Sequence, residues 1–197
     1  APKLIYSGTE VENVGADVIT VDSTLYYNAL INRISVSSIE LINTIISGDV
    51  ADNNLNFGLW IRDKESKPQY HLGARMTAEN NNYILSMLED GLMLNYDTWN
   101  VRPNNQIAFG DAGVLVRDFV LSQSGQELSM QSQDSTYNSP IALNFDNFRM
   151  ETISRMVDSE TLDIGGGING TATVSRLESS PVFVSDLMIN AFSFAKQ

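Results

Sequence analysis

The chain has 197 residues, of which 12 are basic and 24 acidic, so its formal net charge is −12. A field of that sign repels phosphate, which argues against nucleic-acid binding and against attachment to anionic lipid headgroups. The chain has no cysteine and one histidine, which excludes disulfides, thiolate chemistry and sites built from several histidines. Asn, Ser and Thr supply 51 residues, and no apolar run is long enough for a membrane-spanning helix.

Apolar and polar residues alternate with a period of two through the centre of the chain, which predicts β-strands. Alternate residues are apolar in 55–61 and again in 70–76, and the charged segment 63–68 lies between these two runs. Residues 80–82 and 89–91 have the composition of hairpin turns. Such runs recur at the spacing typical of an all-β protein.

Two stretches depart from this period and predict short helices. In Leu25–Ile34 the apolar residues fall close to helical spacing, with Thr24 as the N-cap. Residues 152–157 predict a second short helix. We therefore expect an N-terminal segment, 1–50, whose short helix packs on the sheet, followed by a repetitive β-sheet trough, 51–197. The alternative is one continuous domain, 1–197.

A motif recurs three times in the second half of the chain. An apolar residue is followed two positions later by Asp or Asn, then by an apolar residue, and the motif occupies 116–121, 145–150 and 184–189. The step of three between the first two apolar residues breaks strict alternation. A β-bulge explains this step, because one extra residue keeps both apolar side chains on one face while the strand bends. Three such bends predict a sheet that curls into a trough.

The order of several further motifs resembles the C-terminal region of the TamB-type translocation and assembly module, within the AsmA-like superfamily. The resemblance covers most of the chain, from about Leu25 to Phe194. Each motif is short, but their succession is typical of that family. The segments that carry it are 90–101, 118–122, 125–128, 140–148, 162–171, Pro181 and 185–187.

This resemblance implies an all-β fold, an elongated curled antiparallel sheet that forms an apolar, β-taco-like trough with one or two short helices. It implies a periplasmic segment of a protein anchored in the inner membrane of a diderm bacterium, of which this chain would be an internal or C-terminal slice. It also implies a role in cell-envelope biogenesis. Such proteins are associated with lipid transport between the two membranes and with assembly and secretion of outer-membrane proteins beside a TamA-like barrel.

The residues that carry chemistry in other proteins do not form a catalytic pattern here. His71 lies on the polar side of a predicted strand, and Gly165–Gly167 lacks the Lys and Ser or Thr of a phosphate loop. Residues 49–54 lack the spacing of a calcium loop, and Glu89–Asp90 lies in a predicted turn. We therefore expect no enzyme activity, no catalytic residue, no metal and no cofactor.

Two hypotheses for function remain. In the first, acyl chains of phospholipids, or strands of outer-membrane proteins, bind an apolar groove. In the second, the chain is an adhesin-like or carbohydrate-binding β-sandwich that uses Trp60, Trp99, Tyr96 and the Asn-rich loops. Exposed edge strands also leave homodimerisation open. The residues predicted to line the groove are Leu55, Phe57, Leu59, Ile61, Leu72, Met76, Leu143, Phe145, Phe148 and Met150.

Overall fold

The computed structural model describes residues 2–36, 39–152 and 162–196. These residues form fifteen strands in one sheet and the beginning of a short helix at Met150. The strands are β1 (Lys3–Tyr6), β2 (Thr9–Val21), β3 (Thr24–Val36), β4 (Ile39–Ala51), β5 (Asn54–Arg62), β6 (Pro68–Glu79), β7 (Asn82–Leu94), β8 (Asp97–Val101), β9 (Gln106–Gly110), β10 (Gly113–Arg117), β11 (Phe119–Gln123), β12 (Gln126–Ser132), β13 (Ile141–Arg149), β14 (Leu162–Ser175) and β15 (Val182–Lys196).

The strands follow one another across the sheet in chain order, and all their pairings are antiparallel. β7 pairs with β9 near its start and with β8 near its end, so β8 and β9 are parts of one interrupted strand. β10 and β11 are likewise parts of the next strand, on either side of Asp118. The fold is therefore an open up-and-down meander, which confirms the prediction of a single all-β antiparallel sheet.

Tight two-residue turns connect many of the strands and consist mainly of Asn, Asp, Ser and Gly. Both turn residues have positive φ, as type I′ turns require, and Asn, Asp and Gly tolerate that conformation best. A turn was predicted at residues 80–82, and the structure places the two turn residues at Asn80 and Asn81, with φ angles of 48° and 60°. The other turns of this kind are Ser7–Gly8, Asp22–Ser23, Asp52–Asn53, Asn95–Tyr96 and Ser124–Gly125.

The predicted N-terminal helix is wrong, because Leu25–Ile34 lies within strand β3. The N-terminal segment 1–50 contributes β1 to β4, which pair with one another and with β5 in the common sheet. Alternation in β3 is obscured because Leu25 and Tyr26 point to opposite faces and are both apolar. Of the second predicted helix, only Thr152 belongs to the described residues, where it follows the helical start at Met150.

The turn predicted at Glu89–Gly91 is also wrong. These residues lie inside β7, at a point where the register with β6 shifts between Leu72 and Ala74. The segment forms a large bulge in which residues 88–91 lie opposite Gly73, and the chain reverses only at the later turn Asn95–Tyr96. Acidic residues and glycine suit a bulge and a hairpin turn equally well, so composition alone did not separate the two.

The second copy of the repeated motif contains the predicted bulge, and in the first copy the strand is interrupted at Asp118. Asp118 and Asn147 adopt left-handed backbone conformations, with φ of 50° and 47°. The register of β13 against β14 shifts between Phe145 and Phe148, which leaves both rings on one face with their centroids 5.9 Å apart. The extra residue therefore keeps both apolar side chains on one face, as predicted from the motif.

The third copy of the motif does not contain a bulge, so that part of the prediction is wrong. Residues 184–189 pair with β14 in regular register. The irregularity in this pair of strands lies further along, where the register shifts between Gly165 and Gly167 and Ala191 has a φ of 51°. The motif is short enough that a regular strand can match it.

The sheet curls around an aromatic core. Trp99 in β8 and Phe148 in β13 lie three strand positions apart, which is about 14 Å in a flat sheet. Their ring centroids are only 5.9 Å apart, so the intervening strands must bend toward each other. Leu92 and Val101 complete the buried cluster, and side chains from β6 to β14 pack around it.

Candidate functional site on the inner face of the sheet

We call the face that carries Trp99 and Phe148 the inner face, and the opposite face the outer face. Residues that are Cα partners in neighbouring strands share a face, so the strand register traces rows of side chains across the sheet. One apolar row on the inner face crosses every strand from β2 to β8. It consists of Ala16, Ala29, Ile46, Leu59, Leu72, Leu92 and Trp99.

Two further rows lie beside the first on the same face. None of the described side chains in these three rows is charged, so the inner face presents an apolar area that extends along the strands as well as across them. The second row is Val18, Tyr27, Gly48, Phe57, Ala74 and Met87. The third is Thr20, Leu25, Val50, Leu55, Met76, Leu85, Ile107 and Val116.

The residues predicted for the groove lie on the inner face, with one exception. Leu55, Phe57, Leu59, Leu72 and Met76 belong to the three rows, and Ile61 follows Leu59 on the same face of β5. Met150 is the exception, because it begins the helix after β13 rather than continuing the strand.

The part of the predicted groove that lies on β13 joins the inner face through the strand register. A row of Cα partners runs from Phe145 in β13 through Leu128 and Leu121 to Val101 in β8, so Phe145 lies on the inner face. Leu143 lies two residues before Phe145 and shares that face. The curl brings Leu72, Phe145 and Phe148 into one cluster around Trp99. The remaining predicted residues extend the same face away from that cluster.

Exposure of the inner face increases from the core toward the N-terminal strands. Trp99 in β8 is 2% exposed, whereas Val50 in β4 is 40% exposed and Val18 in β2 is 62% exposed. The inner face therefore changes from a closed core between β7 and β13 to an open apolar surface on β2 to β4. This open surface is the candidate functional site.

The outer face carries polar side chains at the same level of the sheet. The Asn56 side-chain amide donates to Asp49 Oδ2 at 2.9 Å and accepts from Arg75 Nε at 2.8 Å. These residues are Cα partners in β4, β5 and β6, so they form a cross-strand ladder. The ladder places these charges on the outer face and leaves the three rows of the inner face uncharged.

Trp60 and His71 lie on the outer face, as the alternation in their strands predicted, and their rings form a stacked pair. Their ring centroids are 3.5 Å apart and their planes differ by 13°. Burial lowers the pKa of His71, so its imidazole is mainly neutral at physiological pH. Packing against Trp60 is the role that this geometry gives to the histidine.

The aromatic residues of the carbohydrate-binding alternative are not gathered into one platform. Trp60 lies on the outer face, and Trp99 is buried on the inner face. Tyr96 lies in the turn after β7, where its hydroxyl donates to Asp63 Oδ2 at 2.7 Å and its ring lies under Lys67 Nζ at 4.7 Å. Each residue thus has a separate packing role.

Sequence reasoning missed a contact within the inner face. Tyr27 lies across Gly48, and its hydroxyl donates to the carbonyl oxygen of Asn56 at 3.2 Å. Burial raises the pKa of Tyr27, which keeps the phenol protonated. A glycine inside a strand was the available signal, because such a glycine often marks close approach of another group.

Buried polar atoms on the inner face are few. Thr44 Oγ1 and Trp99 Nε1 are buried without a hydrogen-bond partner among the described residues. Within the same part of the chain, no group of three or more His, Asp or Glu side chains is arranged to hold a metal ion. Across the described ranges, none of the helical structure is long and apolar enough to cross a membrane.

Comparisons of the chain with family models, with curated proteins and with solved structures give no match. A function is therefore inferred from the residues and their geometry.

Proposed function

We propose that the chain is a non-enzymatic periplasmic segment of a TamB/AsmA-like envelope-biogenesis protein, whose inner face binds acyl chains or outer-membrane protein strands. In the whole protein this segment would serve lipid transfer between inner and outer membranes, or outer-membrane protein assembly with a TamA-like barrel. The observation that carries the proposal is the uncharged inner face, whose rows of apolar side chains run from β2 into the core.

The binding mechanism needs no reacting group. An acyl chain lying on the inner face would remove its methylenes from water, and each buried methylene contributes about 0.8 kcal/mol. The face is open along β2 to β4, so a bound chain could enter and leave from the side. The net charge of −12 would keep an anionic headgroup away from the protein surface, while the acyl chain lies on the sheet.

A matched pair of substitutions on neighbouring strands tests this proposal. Ile46 lies on the inner face and is 36% exposed, and Leu30 lies on the outer face and is 44% exposed. In Ile46→Glu a carboxylate enters the apolar rows, and we expect the affinity for a fluorescent fatty acid to fall by about tenfold. Leu30→Glu adds the same charge to the outer face, and its affinity should stay close to that of the wild type.

Circular dichroism and thermal melting of both variants show whether each remains folded. Equal affinity in two folded variants would place the probe away from the inner face and contradict the proposal. A wild-type chain that binds neither the fluorescent fatty acid nor a detergent would contradict it as well.

A further inference from the structure

The accessible surface of the chain is large for its mass. It measures 12140 Å², whereas a compact monomer of 21.8 kDa is expected to expose about 9,300 Å². The difference, about 2,800 Å² per chain, means that the sheet leaves much more surface uncovered than a compact domain does. Exposed apolar side chains are concentrated on β1 to β4, on both faces of the sheet, and on the last strand, β15.

Strand β15 is exposed along nearly its whole length. Every residue from Phe183 to Ala195 is exposed, whereas no residue of β5, which has a neighbour on each side, is exposed. Phe183 is 73% exposed and Met188 is 64% exposed, although these side chains point to opposite faces of the sheet. A strand on the free side of β15 would bring these residues toward the burial found in β5.

The two edges of the sheet differ in how they are protected. At the N-terminal edge, β1 has only four residues and pairs with Thr9–Glu12 of β2, and Lys3 forms ion pairs with Glu10 and Glu12. The remainder of β2 also lies at this edge, and it carries the charged residue Asp17. Short edge strands and charges of this kind prevent pairing with other chains. β15 has fifteen residues, its only charged side chains are Asp186 and Lys196, and it contains no proline. It therefore lacks the features that normally block edge pairing.

We propose that β15 pairs antiparallel with β15 of a second copy of this chain. Residues 182–190 keep regular register with β14, so their free edge offers a regular row of N–H and C=O groups. A two-fold axis near Leu187 or Met188 pairs apolar residues and sets Asp186 opposite an uncharged residue rather than opposite itself. The strand is thus complementary to its own copy.

This pairing has a consequence for the inner face. The two-fold axis of an antiparallel edge pair runs perpendicular to the sheet, so the inner faces of both copies lie on the same side. The dimer would present one continuous apolar face across the seam. The pairing depends on the edge of β15 and not on what the inner face binds.

Net charge sets the salt dependence of the dimer. Each chain carries a net charge of −12, so two copies repel each other at low ionic strength. Added salt screens this repulsion and should strengthen the dimer. Sedimentation velocity at low and high salt should show a dissociation constant that falls as the salt concentration rises.

Single cysteines identify the edge that pairs, because the chain contains none of its own. Paired residues in antiparallel strands have Cα atoms close enough for a disulfide. Under mild oxidation we expect Leu187→Cys or Met188→Cys to form a covalent dimer. Val18→Cys is the matched control, because Val18 is 62% exposed on β2, and it should remain monomeric. Circular dichroism before oxidation checks that each variant is folded.

Val184→Lys provides a second test, which separates pairing from lipid binding. Val184 is 65% exposed on the outer face of β15, so a lysine there should weaken the dimer at least tenfold while the fluorescent fatty acid still binds. Val18→Lys at the other edge should leave the dimer intact. A wild type that is monomeric at every salt concentration would refute the proposal, and so would a Val18→Cys dimer that forms as readily as the β15 dimers.

Discussion

Tyr27 and Gly48 form one of the tightest contacts of the inner face. The carbonyl oxygen of Asn56 and the Tyr27 hydroxyl lie where a side chain at position 48 would stand, and the hydroxyl donates to that carbonyl oxygen. A glycine that leaves room for an aromatic side chain from the next strand is a known means of stabilising a sheet. At this position the glycine is required by space rather than by its backbone conformation.

We predict that Gly48→Ala lowers the free energy of unfolding by about 1–3 kcal/mol. The added Cβ would overlap the carbonyl oxygen of Asn56 and lie 2.6 Å from Tyr27 Oη, so the backbone at Asn56 and the Tyr27 side chain must both move. Gly15→Ala is the matched control, because nothing lies within 4 Å of its Cβ position. Urea unfolding of both variants measures the difference, and an equal loss in the two would contradict the prediction.

A hydrogen bond between two loops predicts a pH dependence. The bond from the Tyr96 hydroxyl raises the pKa of Tyr96 to about 12, and the same bond, with backbone donors in its own loop, lowers the pKa of Asp63. The Asp63 contribution to stability is present above the pKa of an unfolded Asp, near 3.8, and is lost as the pH falls through its lowered value. The Tyr96 contribution is present below pH 10 and is lost as the pH rises toward about 12.

Asp63→Asn tests this assignment. The substitution removes the acceptor charge, so the phenol of Tyr96 should ionise closer to its ordinary pKa of 10. Ultraviolet absorbance of the phenolate follows that ionisation, and Tyr96→Phe identifies which part of the titration belongs to Tyr96. An unchanged titration in Asp63→Asn would show that another group holds the pKa of Tyr96 high.

Bulges and turns are the elements that shape the sheet, and the sequence predicted them unevenly. Asp118 and Asn147 were predictable because a step of three between apolar residues leaves one extra residue in the strand. Residues 184–189 match the same pattern and remain regular, because their partner strand has its irregularity elsewhere. Local sequence shows that a bulge is permitted, whereas the register of the neighbouring strand determines whether it forms.

The helix predicted over Leu25–Ile34 is wrong for a related reason. Strands β3 and β4 carry apolar side chains on both faces, including Leu30 and Tyr26 on the outer face. A strand with two apolar faces loses the period of two, and the remaining pattern can resemble a helix. The groove residues were predictable where alternation was clear, in β5 and β6, and Met150 was not, because β13 ends one residue earlier.

We predict that Phe148→Ala destabilises the protein by about 3–5 kcal/mol, because the ring fills the space inside the curl. Phe148 is 7% exposed and contacts Trp99, so its loss leaves a cavity between β8 and β13. Phe183→Ala is the matched control when both substitutions are made in the monomeric Val184→Lys background, because Phe183 is 73% exposed on the same face of the single chain. Its free energy of unfolding should change by less than about 0.5 kcal/mol. Comparable losses in the two variants would mean that Phe148 does not close the curl.

At the scale of the whole molecule, one open sheet replaces the two packed layers of an ordinary β-sandwich. The single aromatic cluster described here lies within the curl, and much apolar surface on β2 to β4 and β15 stays accessible. The resulting shape is more extended than a compact domain of the same length. Composition could not predict this, because a sandwich and an open trough have the same alternating strands.

Small-angle X-ray scattering tests the open shape directly. A compact domain of 197 residues has a radius of gyration of about 16 Å. We expect the monomer to exceed that value by at least about 2 Å. The Val184→Lys variant at low concentration keeps dimers out of the sample, and the forward scattering verifies the monomer mass. A radius near 16 Å would contradict the open sheet.

The meander described above also determines how the chain can fold. β8 and β9 are two parts of one interrupted strand, and so are β10 and β11. Counted in this way, each strand pairs only with the strands next to it in sequence. Contact order is therefore low for an all-β protein, because the described strands pair with partners that are close in sequence. A chain that emerges from its amino terminus can add strands one hairpin at a time, as repeat proteins do.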